Sequence, residues 1–487
     1  MTSCWQHIKT CTFSCCIVLS LLFATPLYAQ ATIPLDSLLF EAYSLQENLP
    51  SVPTPASESA SQVVPYLFPG ADKAAAEASI DLYLKNITAT EADEGPFAPA
   101  LLEQYLSLGK AYQQKVQHEE AIEVLEKAEY ISRINSGLFA ADQFVIIENL
   151  IASYLATGEQ QKAAEKHHYL LFLNQQNFGE DSLQAVPVLQ KLGDWQMASF
   201  SSNINADVPF TLSFSSGGSR SRQPTPRELA FSNLYLAQNT YFQAIQNLVR
   251  NNQLNNPALQ ELELKLIEAV FFAANRQGML SNPDFYMDPR LQSTGSRIVR
   301  RNLGGNTVGF INGRNAYMRL RIYEEHRLLL DPVAVAQAII GLGDWHLLFN
   351  RRTSAIRHYE EADAYLRNHN VSEDVITEML HPELPQQLPA FTPLPHSRGK
   401  YALADDAPLK FSGYVDVSFD LTRFGNVRNL DISSTSADFP RTTERRLARL
   451  LRTTPFRPRL QEGKVVTSDN IKVRYYYADV RTANPAP

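Results

Sequence analysis

Tyr105-Leu106-Ser107-Leu108-Gly109-Lys110-Ala111-Tyr112, followed by Ala121, Leu125 and Ala128, is the stretch that decides the fold. Its Leu-Gly pair belongs to a repeating frame. Leu108-Gly109, Leu150-Ile151 and Leu192-Gly193 are each 42 residues apart, and Leu342-Gly343 repeats the pair far downstream. Small residues at fixed offsets let two helices touch, while Tyr105, Tyr112 and Leu125 fill the space between them. Hairpins of this kind stack into a solenoid, whose product is a surface rather than a reaction.

The copies differ in completeness. In the second, Leu150, Tyr154, Gly158 and Ala163 keep the frame, with Ile151 in the small position and His167 in the aromatic one. The third starts at Leu189, Leu192, Gly193 and Trp195, and its second helix is expected to be lost in the Ser-, Gly- and Asn-rich stretch Ser199–Arg222. Helical pattern resumes at Thr225-Pro226-Arg227-Glu228, a cap followed by a first-turn proline. The last copy, Leu342-Gly343 with Ala355, Tyr359 and Ala362, has no gaps, and Leu192-Gly193-Asp194-Trp195 and Leu342-Gly343-Asp344-Trp345 are identical, which points to internal duplication. This pattern resembles the tetratricopeptide repeat. The resemblance implies that the first helix of each hairpin lines a binding groove. Lys110, Gln113, Gln114, Glu148, Asp194 and Asp344 are then the candidate protein contacts.

Lys9, an apolar run from Cys15 to Ala24 and the small residue Ala29 read as a cleavable signal peptide over residues 1–29. Cys4, Cys11, Cys15 and Cys16 all lie inside it, so the mature chain is expected to have no disulfide, thiol nucleophile or cysteine-bound metal. Charge is uneven. Residues 30–200 hold 9 Lys/Arg against 23 Asp/Glu, and residues 398–487 hold 16 against 10. An acidic front and a basic tail imply that the ends face different partners, or each other.

The segment from Pro382 to Pro395 carries five prolines and reads as a semi-rigid spacer. Beyond it the period changes to two. Val415, Val417, Phe419 and Leu421 alternate with polar residues, Gly425-Asn426 turns, Val427 to Ser433 continues, a helix spans Pro440–Arg452, and Ile471, Val473, Tyr475 and Tyr477 make a last strand. Gly413-x-Val415-x-Val417-x-Phe419-x-Leu421, Gly425-x-Val427, Ile432-x-Ser434, Phe456-x-Pro458 and Gly463-x-x-Val466 resemble the C-terminal domain of TonB-type energy transducers. That resemblance implies a periplasmic domain that docks by strand addition. It departs from the family in lacking the tyrosine-proline entry and an uncleaved N-terminal anchor. Residues 410–480 are expected to fold alone.

No motif for a serine nucleophile, a zinc hydrolase or a phosphate-binding loop is present. His167 and His168 beside Glu165 point in different directions on a helix and do not converge on a metal. Seven arginines lie between Arg290 and Arg321 without an acid, and seven more between Arg441 and Arg459 with one, Glu444. Arg297, Arg300, Arg301, Arg445, Arg449 and Arg452 are candidate anion contacts, because guanidinium pairs bidentately with carboxylate or phosphate. The bland alternative is that such arginines pair with the chain's own acids.

The expected fold is mostly α, a tetratricopeptide-like α-solenoid followed by a small α+β (ββαβ) TonB-C-terminal-like domain. The expected order is signal peptide 1–29, linker and partial helix 30–97, tetratricopeptide-like repeats 98–200, Ser-rich loop 201–226, helical repeats 227–380, Pro-rich linker 381–409, C-terminal domain 410–480 and tail 481–487. The expected function is an exported periplasmic scaffold or adaptor without catalytic residues, cofactor or metal. Its partners are proteins of the cell envelope, not nucleic acid, with any membrane association made through a partner. The alternatives are a TonB-like transduction or transport accessory and an enzyme with an unrecognised site.

Overall fold

The computed structural model describes residues 38–44, 73–201, 226–275, 307–389, 413–434 and 441–479. The expected signal peptide and Arg297, Arg300 and Arg301 lie outside these residues. The described chain is mostly helical with a small antiparallel sheet.

The helices come in sequential order, each packed on the next. They are α1 (Lys73–Glu94), α2 (Leu101–Gln114), α3 (His118–Ser136), α4 (Gln143–Thr157), α5 (Gln160–Phe178), α6 (Ala185–Ser201), α7 (Pro226–Arg250), α8 (Ala258–Ala274), α9 (Thr307–Glu325), α10 (Pro332–Leu348), α11 (Arg352–Asn368) and the short α12 (Glu373–Leu380). The α4 helix ends at Gly158 in the left-handed region, and α10 starts with Pro332 behind Asp331, whose carboxylate accepts from the Val333 N–H.

The hairpins close where the repeat frame says. A Cβ on Gly109 would lie 2.6 Å from Leu125 of the facing helix, and one on Gly343 would lie 2.6 Å from the Tyr359 ring. Ala121, Ala128, Ala355 and Ala362 are fully buried around these contacts. In the second copy Ile151, Ala163, His167 and Leu170 are buried at the corresponding positions. Burial pushes the His167 imidazole down to about 3, and its ring packs 5.5 Å from Trp195, a core role.

The third copy corrects the sequence reading. Its second helix is not lost but displaced along the chain. A Cβ on Gly193 would lie 2.4 Å from the Tyr241 ring, and Ala237 and Ala244 are fully buried four residues before and three after it. That is the offset of Ala121 and Ala128 from Leu125. The glycine and its contact are 48 residues apart here against 16 in the first and last copies. Periodicity fails because 32 residues are inserted between two helices that still pair.

A side-chain device also recurs. Asn135 donates to Ile131 O at 3.0 Å and back to Phe97 O at 2.9 Å. Asn177, 42 residues on, donates to Leu173 O at 2.8 Å and Phe139 O at 2.9 Å. Asn251 donates to Asn247 O and Asp181 O at 2.8 and 2.7 Å. Each amide ties the end of a second helix to the loop before its hairpin.

The C-terminal sheet has strands β1 (Leu38–Ser44), β2 (Gly413–Leu421), β3 (Val427–Ser434) and β6 (Ser468–Asp479) in the order β1-β6-β2-β3. Helix α13 (Arg441–Thr453) covers it, and a small hairpin, β4 (Leu460–Gln461) with β5 (Lys464–Val465), precedes β6. Val415, Val417, Phe419, Leu421, Ile471, Val473 and Tyr475 meet Leu447, Leu450, Leu451 and Phe456 in one core. The period-two alternation places them there.

Two boundaries differ from expectation. Residues 30–97, read as linker and partial helix, supply strand β1, antiparallel to β6 from Leu38↔Asp479 to Ser44↔Val473. The sheet therefore draws on both ends of the chain and is not confined to 410–480. The start of the Pro-rich linker is not a free spacer either: Leu388 N–H donates to Pro455 O at 2.9 Å, Arg457 N–H donates to Gln386 O at 2.8 Å, and Leu388 is buried.

If α6 and α7 form one hairpin, Gly193→Ala and Gly343→Ala should each cost about 1–3 kcal/mol by overpacking against a tyrosine. Exposed Glu123→Ala should stay within about 0.5 kcal/mol. Urea unfolding of the three variants checks this, and an unperturbed Gly193→Ala would separate α6 from α7.

Candidate protein-interaction site

The expected contact residues do not share one fate. Gln113 is buried, and its amide donates to Asn149 O and Ser153 Oγ at 2.8 Å each, tying α2 to α4. Glu148 pairs with Lys191 at 2.6 Å across α4 and α6. Lys110 is half-buried and Gln114 exposed. Of the six, Gln113 and Asp344 are corrected from partner contacts to internal ties, because both are buried and bonded between elements of the chain, while Asp194 is tied in the same way with its side chain still 45% exposed.

Asp194 and Asp344 hold equivalent nodes, as their identical Leu-Gly-Asp-Trp context requires. Tyr241 OH donates to Asp194 at 2.8 Å, and Tyr359 OH donates to Asp344 at 2.8 Å. Each tyrosine is the one whose ring lies on the glycine just before the aspartate. Burial and the neighbouring carboxylate push both tyrosine hydroxyls well above their ordinary range, so both stay donors.

A cation from the next element completes each node. At Asp194 it is Lys265 of α8, at 2.8 Å, which also pairs with Glu261 at 2.9 Å. At Asp344 it is Arg457 of the C-terminal domain, whose Nε and Nη2 reach the two carboxylate oxygens at 2.9 and 2.5 Å. Burial works against charge on Arg457, and Asp344 outweighs it, so the guanidinium is held above its usual range. The C-terminal domain thus occupies, after the last hairpin, the place that a following helix occupies after the third. Lys464 to Glu360 at 3.5 Å and the contact of β5 with α11 extend the junction. A cavity of about 240 Å³ lies there, walled by Leu264, Ile340, Leu348 and Met379, with Tyr317, Asp344 and Arg457 on its lining.

Glu268 of α8 is a half-buried acid that sequence reading passed over. Its Oε1 is enclosed without a hydrogen-bond partner. Burial pushes its carboxyl up to about 8, with Lys265 opposing and Asp194 reinforcing. Lys265 and Glu268 carry no local sequence signal, and Arg457 shows only as one of the arginines between Arg441 and Arg459, since the role of each is set by a residue elsewhere in the chain.

The arginine groups divide. Arg319 pairs bidentately with fully buried Glu263 at 2.6 and 2.7 Å, and Arg321 reaches Glu325 and Glu361 at 2.7 and 2.6 Å. These satisfy the chain's own acids. Arg445, Arg449 and Arg452 are exposed on α13. Among the described residues no group of three or more His, Cys, Asp or Glu side chains is arranged to hold a metal ion, and no helix is long and apolar enough to cross a membrane.

No protein-family model matches this chain, and no curated protein is significantly similar to it. Among solved structures, TPR-like repeats of a kinesin light chain from Podosopora anserina align at 13% identity, over 56% of this chain and 98% of theirs, with a TM-score of 0.32. A second structure of those repeats aligns at 14% identity, over 56% of this chain and 99% of that one, with the same TM-score. BtubC from P. vanneervenii aligns at 14% identity over 62% and 92%, with a TM-score of 0.31. The helical-repeat assignment itself rests on the glycine contacts and equivalent nodes described above.

Arg457→Ala strands a buried carboxylate and should cost about 3–5 kcal/mol. Lys464→Ala, at a 76% exposed side chain, should cost about 0–1 kcal/mol. Thermal melts with limited proteolysis of the C-terminal domain check both.

Glu268 makes a pH prediction. A carboxyl that ionises near 8 when folded and near 4.5 when unfolded loses stability as pH rises between those values, because the unfolded chain gives up its proton first. Glu268→Gln should therefore stabilise by about 2–4 kcal/mol at pH 8 and have little effect at pH 4.5. Melting curves at the two pH values test this.

Proposed function

We propose that this protein is an exported scaffold that binds protein partners in the cell envelope through its helical repeats. The observation that carries the reading is a row of exposed aromatic rings in register with the repeat. Phe97 packs edge-on against Tyr130 with centroids 5.8 Å apart, and Phe139 against Phe172 at 5.7 Å. The two pairs are 42 residues apart, and all four rings are 42–55% exposed. Beside them Leu138, Ile134 and Phe178 are exposed as well. Contiguous exposed apolar surface of this kind marks interaction sites on soluble proteins. Aromatic rings give large contact area at small entropic cost.

The C-terminal domain acts in this reading as the terminal cap of the solenoid. Arg457 supports that role by completing the node of the last hairpin, and β1 supports it by occupying one edge of β6, an edge that an added partner strand would need. Repeat arrays require such a cap because an open last hairpin leaves its apolar face in water.

A photocrosslinking side chain at Phe139 or Phe172 should join the native protein to a discrete protein in the envelope. The same group at Lys472 should not, and equal adducts at all three would remove the aromatic row as the site. The envelope form should be shorter by about 29 residues and free of titratable thiol. A full-length mass with four reactive cysteines would end the export reading while leaving the aromatic row to be judged by the crosslinks.

A further inference from the structure

Two exposed helix faces of this chain match in spacing and oppose in charge. On α3, Glu119, Glu123 and Glu126 are exposed at i, i+4 and i+7, and exposed Tyr130 and Ile134 continue the same face. Lys127 flanks the stripe and pairs with Glu123 at 3.2 Å. On α13, Arg445, Arg449 and Arg452 are exposed at the same i, i+4 and i+7, with Glu444 flanking. Leu447, Leu450 and Leu451 point the other way into the sheet core, so this arginine face looks outward. Its three arginines have no ion pair or hydrogen bond from their side chains among the described residues. Both stripes span seven residue steps, about 10.5 Å of helix rise. Laid side by side in either direction, the outer charges coincide.

Among the described residues no ion pair or hydrogen bond joins the two faces within one molecule. Helix α13 lies against β3, Arg457 holds its domain at the last hairpin, and α3 packs between α2 and α4. We propose that they meet between copies, with α13 of one molecule lying along α3 of the next. The complementary spacing argues for a second copy of this chain, since one chain carries both halves of the match. Tyr130 at the end of the acidic stripe adds a ring for guanidinium stacking. The contact is head-to-tail, so a pair of molecules keeps one free face of each kind and the assembly grows into rings or open chains. Exposed ion pairs contribute little singly, so association is weak and salt-dependent.

Sedimentation velocity of the full chain tests this. The weight-average sedimentation coefficient should rise with concentration from about 1 to 100 µM at about 0.1 M salt. It should fall back at about 1 M, where the screening length drops from about 10 Å to about 3 Å. The variant R445E/R449E should be monomeric, and so should E119R/E123R. Both change exposed residues, and unchanged melting temperatures confirm that each variant is folded.

Mixed one to one, the two variants should assemble again, because each reversed face then finds its complement on the other protein. A wild-type chain that stays monomeric at low salt overturns the proposal. So does assembly indifferent to salt or to either variant, or a mixture that stays monomeric. Binding of monomeric wild type to vesicles of anionic phospholipid, lost in R445E/R449E, would assign the arginine face to a membrane surface instead and equally overturn it.

Discussion

Close approach of paired helices at a glycine is the constraint on which this structure depends. At Gly109, Gly193 and Gly343 the facing side chain sits where a Cβ would be, at 2.6, 2.4 and 2.6 Å. A helix without side chain at that point can accept a leucine or tyrosine edge-on, and the buried alanines on either side complete the seam. The same rule runs between hairpins. Trp345 fills the space over Gly313 of α9, and Tyr317 of α9 fills the space over Gly341 of α10. Each ring thus needs a specific glycine on another helix, and the register of the stack follows.

That seam also decides where charge can be buried. The tyrosines that lie over Gly193 and Gly343 bring their hydroxyls to Asp194 and Asp344, and buried Asp344 then requires a cation, whereas half-exposed Asp194 takes one at the surface. Lys265 and Arg457 answer that requirement from quite different elements, a helix in one case and a loop of the terminal domain in the other. A buried pair such as Arg457–Asp344 adds little net stability over an apolar contact, but removing one partner strands the other charge. The consequence is positional: the terminal domain has one orientation on the last hairpin, which leaves the arginine face of α13 turned outward.

The sheet shows a different kind of dependence. Its alternating residues bury themselves against α13 through the pleat, a local rule. Its closure on one side by β1 is a contact between the two ends of the chain. Such a strand brings the first and last described segments into one sheet.

The sequence by itself determined the helical-repeat class, the hairpins at Gly109 and Gly343, the alternating C-terminal strands and their covering helix. Those features rest on local periods of 3.6 and 2 and on short offsets, which a linear reading captures. Tertiary structure alone decided the pairing of α6 with α7 across 32 inserted residues, because a side-chain contact between helices is indifferent to the length of chain that loops out between them. It alone turned Gln113 and Asp344 from groove contacts into internal ties, since an aspartate reads the same whether solvent or Arg457 faces it. It alone brought Leu38–Ser44 to β6, because backbone pairing between distant segments leaves no mark on the composition of either. What spacing along one helix or strand can specify was legible; what two remote segments supply to each other was settled by packing and by the cost of leaving a buried charge alone.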